Sequence, residues 1–246
     1  MGFLFHLGRY FLLLPQIIKK PERVAIYRRQ IVIEIDNLGL QSLGIVAIIS
    51  LFIGAVVAIQ TSFNIDNPLL PSYTVGFVTR QTIILEFSPT IISLILAGKV
   101  GSRISSEIGT MRVTEQIDAL EIMGVNSAGY LILPKVIASV IINPILVVFS
   151  IAIGIGGGWL VAHITPILPI SNYLEGILLD FRIFDVFYAL LKTVVFAFLI
   201  TTISGYFGFY TKGGALEVGQ SSTQAVVVSS IFIIFFNLLL TQVLLA

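Results

Sequence analysis

The sequence predicts an all-α integral membrane protein, a bundle of about five transmembrane helices. Of its 246 residues, 57% are apolar and only 11% are charged, whereas a soluble domain has about 25% charged residues. The apolar residues form long runs, such as 45–59 and 231–236, and do not alternate with polar residues as in a membrane β-barrel. Because only a helix satisfies its own backbone groups in lipid, these runs indicate helices.

Five stretches come close to the roughly 20 mainly apolar residues that a membrane span needs. We expect the spans at about 43–63, 75–100, 134–162, 184–210 and 225–246. The second contains Glu86 and Pro89, and we expect a kink at the proline. The stretch 171–182 leaves open a short re-entrant helix. Residues 43–246 are therefore interpreted as one five-span domain.

Residues 1–42 are interpreted as an N-terminal interfacial segment. A signal peptide would have basic residues before Phe3 and a small-residue cleavage site after Leu14, and this segment has neither. We expect residues 3–35 to be retained as an amphipathic helical segment that lies along the cytoplasmic face of the membrane.

The basic residues predict the orientation of the spans. Six precede the first span, four lie between the second and third, and Lys212 lies between the fourth and fifth. Only Arg80 and Arg182 lie near the opposite side. Because basic loops stay in the cytoplasm, we expect a cytoplasmic N-terminus and, with five spans, a periplasmic C-terminus.

Charge and motif content restrict the function. The net charge of +1 gives no case for nucleic-acid binding, and the absence of cysteine excludes thiol chemistry. His6 and His163 are the only histidines, too few for a familiar metal site. Gly98-Lys99 lacks the Ser or Thr that follows the lysine of a P-loop, and no hydrolase signature occurs. We therefore expect no catalysis, metal or cofactor in this chain.

Two ionisable residues, Glu86 and Lys192, fall well inside the predicted spans, away from their ends. Glu86 lies near the middle of the second span, where a charge is costly and usually faces a cavity or a partner. Lys192 lies in the fourth span, and it can either snorkel to the interface or act with Glu86. The two residues can serve a bound headgroup, or they can form a structural ion pair, within the chain or across a dimer. Gly154 and Gly158 form a G-x-x-x-G motif, which predicts close helix packing.

A short amphipathic helix is predicted at about 113–124, between the second and third spans. Val113, Ile117 and Leu120 recur at helical spacing. Thr114 is the expected N-cap and Gly124 the expected stop. The helix can be a simple connector or a docking helix for a soluble partner, since an acidic face and an apolar stripe suit a groove.

Two blocks of sequence resemble the MlaE (YrbE) permease family. The first comprises Glu86 to Thr90, Ala97 to Ser102 and Glu107 to Val125, and the second comprises Lys192 to Phe196, Gly213 to Gly219, Thr223 and Ala225 to Ser229. The motif Glu-x-Gly-x-Met-x-Val-Thr-Glu-Gln-Ile-Asp-Ala-Leu at 107–120 is long and specific. The chain departs from residues that are usual or frequent in the family at Leu85, Ser88, Gln220 and Asn237.

The resemblance implies the permease subunit of an ABC transporter in the bacterial inner membrane, one that moves phospholipid or a related lipid to or from an MCE-domain carrier. It further implies a symmetric homodimer, an MCE-domain protein on the outer side, a cytoplasmic ABC ATPase that binds the ATP and, in some systems, a STAS-domain protein on that ATPase. We expect the substrate at Glu86, Lys192 and Pro89. We expect the ATPase at Glu107, Glu115, Asp118, Leu120 and Glu121.

Two other functions are weighed against lipid transport. An ion-coupled secondary transporter would need more buried ionisable groups and often a repeat between the two halves, which the sequence lacks. A non-transporting membrane scaffold would have little reason to carry Glu86 in the middle of the membrane. The direction of transport and the identity of the lipid are left open.

Overall fold

The computed structural model describes residues 3–18, 24–65, 71–166 and 168–245, which are helical throughout apart from short turns and contain no strand. The chain forms two compact units. Unit 1 comprises Met1–Gln41, Leu94–Asn143 and Val194–Ala246, and unit 2 comprises Ser42–Ser93 and Pro144–Thr193.

Among the described residues, five helices are long and apolar enough to cross a membrane, which confirms the fold class. They are span 1 (Tyr27–Asn64), span 2 (Thr74–Val113), span 3 (Ser127–Ile164), span 4 (Ile183–Phe209) and span 5 (Ala215–Leu244). Three shorter helices are α1 (Phe3–Ile18), α2 (Gln116–Ile122) and α3 (Ile170–Leu178). With nine residues, α3 is only about 14 Å long and cannot cross a bilayer alone.

Spans 1 and 2 are longer than their apolar sequences predict, and charged side chains in unit 1 support the extra turns. Lys135 is almost fully buried, and its Nζ lies 2.5 Å from Glu34 Oε1 and 2.8 Å from Glu107 Oε2. Arg103 donates to Gln41 Oε1 at 2.8 Å. Because charges paired in this way can lie within packed helices, the helices continue beyond the points where hydropathy alone would end them.

The glycine motif of span 3 packs closely within unit 2, as the sequence predicts. A Cβ atom added at Gly54 would lie 1.8 Å from the carbonyl oxygen of Gly154. A Cβ atom at Gly158 would lie 2.1 Å from the hydroxyl of Tyr173. That hydroxyl donates to the carbonyl of Ile155 at 2.9 Å, and burial raises the pKa of Tyr173. Small residues therefore let spans 1 and 3 approach at backbone distance.

Arg80 binds the C-terminal end of α3. Its Nη1 donates to the carbonyls of Ile177 and Leu179, at 2.6 and 2.8 Å, and its Nη2 donates to that of Asp180 at 3.2 Å. The side chain is fully buried. Carbonyls at the end of a helix have no intrahelical donors and favour a cation, so Arg80 fixes α3 against span 2. The sequence reasoning used Arg80 only for orientation.

Some predictions fall outside the described residues. Lys19, Lys20 and Arg23, which contributed to the predicted orientation, lie there, as does most of the loop that follows span 1.

Candidate functional site

Glu86 and Lys192 form an ion pair inside unit 2. Lys192 Nζ lies 2.8 Å from Glu86 Oε1, and it lies 4.5 Å from the centroid of the Tyr188 ring, within cation–π range. The side chain of Lys192 is 0% exposed, whereas that of Glu86 is 42% exposed. Lys192 therefore does not snorkel to the interface. The structural alternative weighed from the sequence, a pair within the chain, is the observed arrangement.

The backbone around Glu86 is a π-helix, Ile83–Ile91. Pro89 lies within it, buried, and has no backbone N–H to donate, and the carbonyl of Leu85 lies about one turn before it. Lys192 Nζ donates to that same carbonyl at 3.2 Å. The sequence predicts a kink at Pro89, and the structure places a π-helical segment there, a geometry often found at functional sites. One lysine thus binds both the carboxylate and the backbone beside the proline.

A chain of serine hydroxyls connects three spans in the same unit. Ser50 Oγ donates to Ser150 Oγ at 2.8 Å, and Ser150 Oγ donates to Ser88 Oγ at 3.0 Å. These residues line a cavity of about 10 Å³, the order of volume that one water molecule needs. Sequence reasoning missed the chain because the three serines are far apart in the sequence, and only the fold brings them together.

Helix α2 corresponds to the amphipathic helix predicted at about 113–124, and it is shorter at both ends. Ile117 is fully buried and anchors the helix to unit 1. Gly124, with φ 79°, ends it as predicted. The prediction of Thr114 as the N-cap is wrong: Glu115 holds that position with φ 60°, and Thr114 donates back to the carbonyl of Thr110 at 2.8 Å.

The five residues predicted to contact the ATPase have different environments. Glu115 is exposed and Leu120 is half-buried. Asp118 Oδ1 lies 2.6 Å from Arg112 Nη1, and Glu121 accepts a hydrogen bond from Ser127 Oγ at 2.9 Å. Glu107 belongs to the Lys135 cluster described above. The structure thus engages three of the five residues in local contacts, and Glu115 and Leu120 keep accessible surface.

The sequence reasoning missed two exposed apolar side chains at the C-terminal end of α2. Ile122 is 88% exposed and Met123 is 67% exposed. A solvated connector has no reason to present such residues, whereas exposed apolar patches commonly mark protein contacts. The signal that could have identified them in the sequence was their position directly before Gly124, the residue that ends the helix.

The fold and the charged pair indicate the class of protein to which the chain belongs. Five apolar spans with an ion pair between two of them describe a multi-pass helical membrane protein. The chain belongs to the MlaE permease family, whose model, Permease MlaE, matches residues 31–243.

Relatives agree with this assignment. A probable ABC transporter permease protein of Rickettsia typhi is 37% identical over 95% of this chain and 88% of its own length. A probable ABC transporter permease protein of Synechocystis is 34% identical, over 88% of this chain and 82% of its own length. The chloroplastic protein TRIGALACTOSYLDIACYLGLYCEROL 1 of Arabidopsis thaliana is 31% identical, over 92% of this chain and 65% of its own length. The chain is therefore an ABC transporter permease subunit, a class that works with a separate ATPase.

Proposed function

We propose that this permease moves phospholipid or a related lipid between the bacterial inner membrane and an MCE-domain carrier, powered by the ATPase partner. The observation that carries the proposal is the asymmetric burial of the charged pair: Lys192 is enclosed, whereas nearly half of the Glu86 side chain is accessible. A charged group held inside apolar spans is costly and marks a substrate path. The family membership favours this function over a secondary transporter or a scaffold.

A lipid substrate fits this chemistry. The accessible Glu86 carboxylate can accept charge-assisted hydrogen bonds from a headgroup amine or hydroxyl, while Lys192 holds it in place and Pro89 shapes the turn. Apolar surface for acyl chains is available in unit 2, where an open groove of about 510 Å³ is lined by Pro144, Val148, Phe149 and Leu190 among others. The name of the Arabidopsis relative is itself that of a galactolipid.

The ATPase is proposed to dock on α2. Buried Ile117 would transmit force from the helix to unit 1, and exposed Ile122 and Met123 would enter a groove of the ATPase. Glu115, Asp118, Leu120 and Glu121 would surround that contact, and Glu107 would act through its ion pair with Lys135. In this orientation α2 and the N-terminus are cytoplasmic and the C-terminus is periplasmic.

A homodimer is proposed along span 5. Its most apolar stretch is the least buried of the five spans, and exposed apolar residues recur there at helical spacing: Ile231, Ile234, Phe235 and Leu238. Such a stripe packs against lipid or against another helix, and a second copy would close a shared cavity around the symmetry axis. The MCE-domain protein would bind the outer side, and a STAS-domain protein would bind the ATPase.

Purification of the tagged chain from its native membrane tests this proposal. We expect mass spectrometry to find an ABC ATPase, an MCE-domain protein and enriched phospholipid. A matched preparation carrying Ile122→Asp and Met123→Asp should keep the lipid and lose the ATPase. Recovery of the ATPase without an MCE-domain protein or any enriched lipid would contradict lipid transport.

A further inference from the structure

Two adjoining cavities lie in unit 1, apart from the residues assigned to transport. An apolar cavity of about 440 Å³ is lined mainly by side chains of spans 4 and 5, among them Leu199, Ile203, Val228 and Phe232. A polar cavity of about 220 Å³ adjoins it, because His6, Tyr206, Phe207 and Gln224 line both. Cavities of about 300–1,000 Å³ hold typical small ligands. The pair therefore offers one amphipathic site with an apolar and a polar end.

The polar end carries excess positive charge. Arg9 and Lys212 both line it, and among the described residues neither forms an ion pair. The Arg9 guanidinium carbon lies 3.9 Å from the centroid of the Tyr210 ring, which holds the cation in place. Glu217 is the one acidic residue in the lining, and its Oε2 accepts the backbone N–H of Gly214 at 2.7 Å. Two cations thus face one carboxylate that already has a donor.

Helix α1 forms one wall of both cavities and is held by specific contacts. His6 Nδ1 lies 2.9 Å from the Tyr206 hydroxyl, and the Tyr10 hydroxyl lies 2.7 Å from Thr202 Oγ1. Burial raises the pKa of Tyr10, and the hydrogen bond with Thr202 opposes that rise. Leu13 is fully buried, whereas Phe11 and Leu12 are exposed. An apolar helix with an exposed apolar face belongs at a membrane interface, so lipid has direct access to the cavities.

We propose that this site binds one anionic phospholipid, with an acyl chain in the apolar cavity and the phosphate at Arg9 and Lys212. The chemistry of the two cavities indicates the class of ligand. Two cations attract an anionic headgroup. A free phosphate would leave the neighbouring apolar cavity empty, whereas a phospholipid fills both cavities. The site would attach α1 to spans 4 and 5 in membranes rich in anionic lipid. This proposal does not rest on lipid transport, since its residues differ from Glu86, Lys192 and Pro89.

Photo-crosslinking tests the site directly. The purified chain, with p-benzoylphenylalanine replacing Thr223 at the exposed part of the apolar cavity, is placed in phosphatidylcholine nanodiscs that contain a minor fraction of phosphatidylglycerol. We expect intact-mass measurement to find phosphatidylglycerol adducts well above that lipid's share. The double change Arg9→Gln with Lys212→Gln should lower their yield roughly 25-fold, since each cation near an anionic headgroup contributes about a factor of five.

Three controls separate the possible occupants. Arg28→Gln with Arg29→Gln removes the same charge from exposed side chains outside both cavities and should leave the yield unchanged, as should Arg9→Lys with Lys212→Arg. Val228→Phe, which fills the apolar cavity, should lower the yield with the cations intact. Soluble glycerophosphoglycerol should not compete.

Four results would overturn the proposal. They are equal labelling of both lipids, an unchanged yield in the Arg9→Gln and Lys212→Gln variant, full competition by the soluble headgroup, and adducts with a second copy of the chain in place of lipid.

Discussion

At the scale of single residues, the charged pair has unequal members. Lys192 is enclosed and its charge has three partners: the Glu86 carboxylate, the Leu85 carbonyl and the Tyr188 ring. Glu86 keeps access to its surroundings. A buried cation without its counter-ion is strongly destabilising, whereas an accessible carboxylate can be solvated or can move. Lys192 therefore depends on Glu86 as its counter-ion, and Glu86 is the member of the pair that we propose contacts the substrate.

Substitution should reveal that asymmetry. Glu86→Gln leaves Lys192 charged and buried, and we expect a loss of about 3 kcal/mol of unfolding free energy. Lys192→Met removes the buried charge and should cost about 1 kcal/mol, close to a single lost hydrogen bond. The double variant should be more stable than Glu86→Gln alone. Chemical denaturation in detergent measures all three, with Arg28→Met as an exposed control. Equal losses in both single variants would contradict the assignment.

At the scale of helices, the apolar runs predicted the spans but not their full lengths. The sequence placed the start of span 1 at residue 43, because Arg28, Arg29, Glu34 and Asp36 interrupt the hydropathy before it. The helix nevertheless begins earlier, since Glu34 pairs with Lys135, 101 residues away. Such a partner is invisible to a local pattern. Membrane depth likewise identified Glu86 and Lys192, whereas their contact and the serine chain required the folded chain.

The proposed docking of the ATPase on α2 gives a prediction with an internal control. Leu120→Asp with Glu121→Lys should abolish lipid-stimulated ATP hydrolysis by the complex, because both side chains keep accessible surface at the proposed contact. Thermal stability of the permease should change little. Ile117→Asp should instead unfold α2, since Ile117 is fully buried. ATP hydrolysis at the wild-type rate in the Leu120 and Glu121 variant would reduce α2 to a connector.

The glycine contact between spans 1 and 3 gives a second prediction at this scale. Gly54→Ala would place a methyl group 1.8 Å from the Gly154 carbonyl oxygen, so the backbones must separate. We expect a loss of at least about 1–3 kcal/mol, the usual cost of overpacking. Gly156→Ala meets nothing within 4 Å and should be neutral or slightly stabilising. Denaturant unfolding of the two variants makes the comparison, and equal stability would refute backbone contact.

At the scale of the whole molecule, the number of spans determines the topology. We expect five spans to place the two termini on opposite sides of the membrane, with most basic residues on the cytoplasmic side. The chain has no cysteine, so a single introduced thiol reports on one position. Ser72→Cys should react with an impermeant thiol reagent in intact spheroplasts, and Met123→Cys should react only after lysis. The reverse pattern would place α2 outside, beyond the reach of an ATPase.

Lipid transport itself is the central claim, and ATP-dependent lipid transfer in proteoliposomes tests it most directly. The reconstituted permease, ATPase and MCE-domain protein should move labelled phospholipid between the bilayer and the MCE-domain protein only when ATP is hydrolysed. The Glu86→Gln and Lys192→Met double variant, in which no buried charge is left unpaired, should assemble normally and lose most of that transfer. Undiminished transfer by the double variant would remove the charged pair from the substrate path, and ATP hydrolysis without any lipid transfer by the wild type would contradict the proposed function.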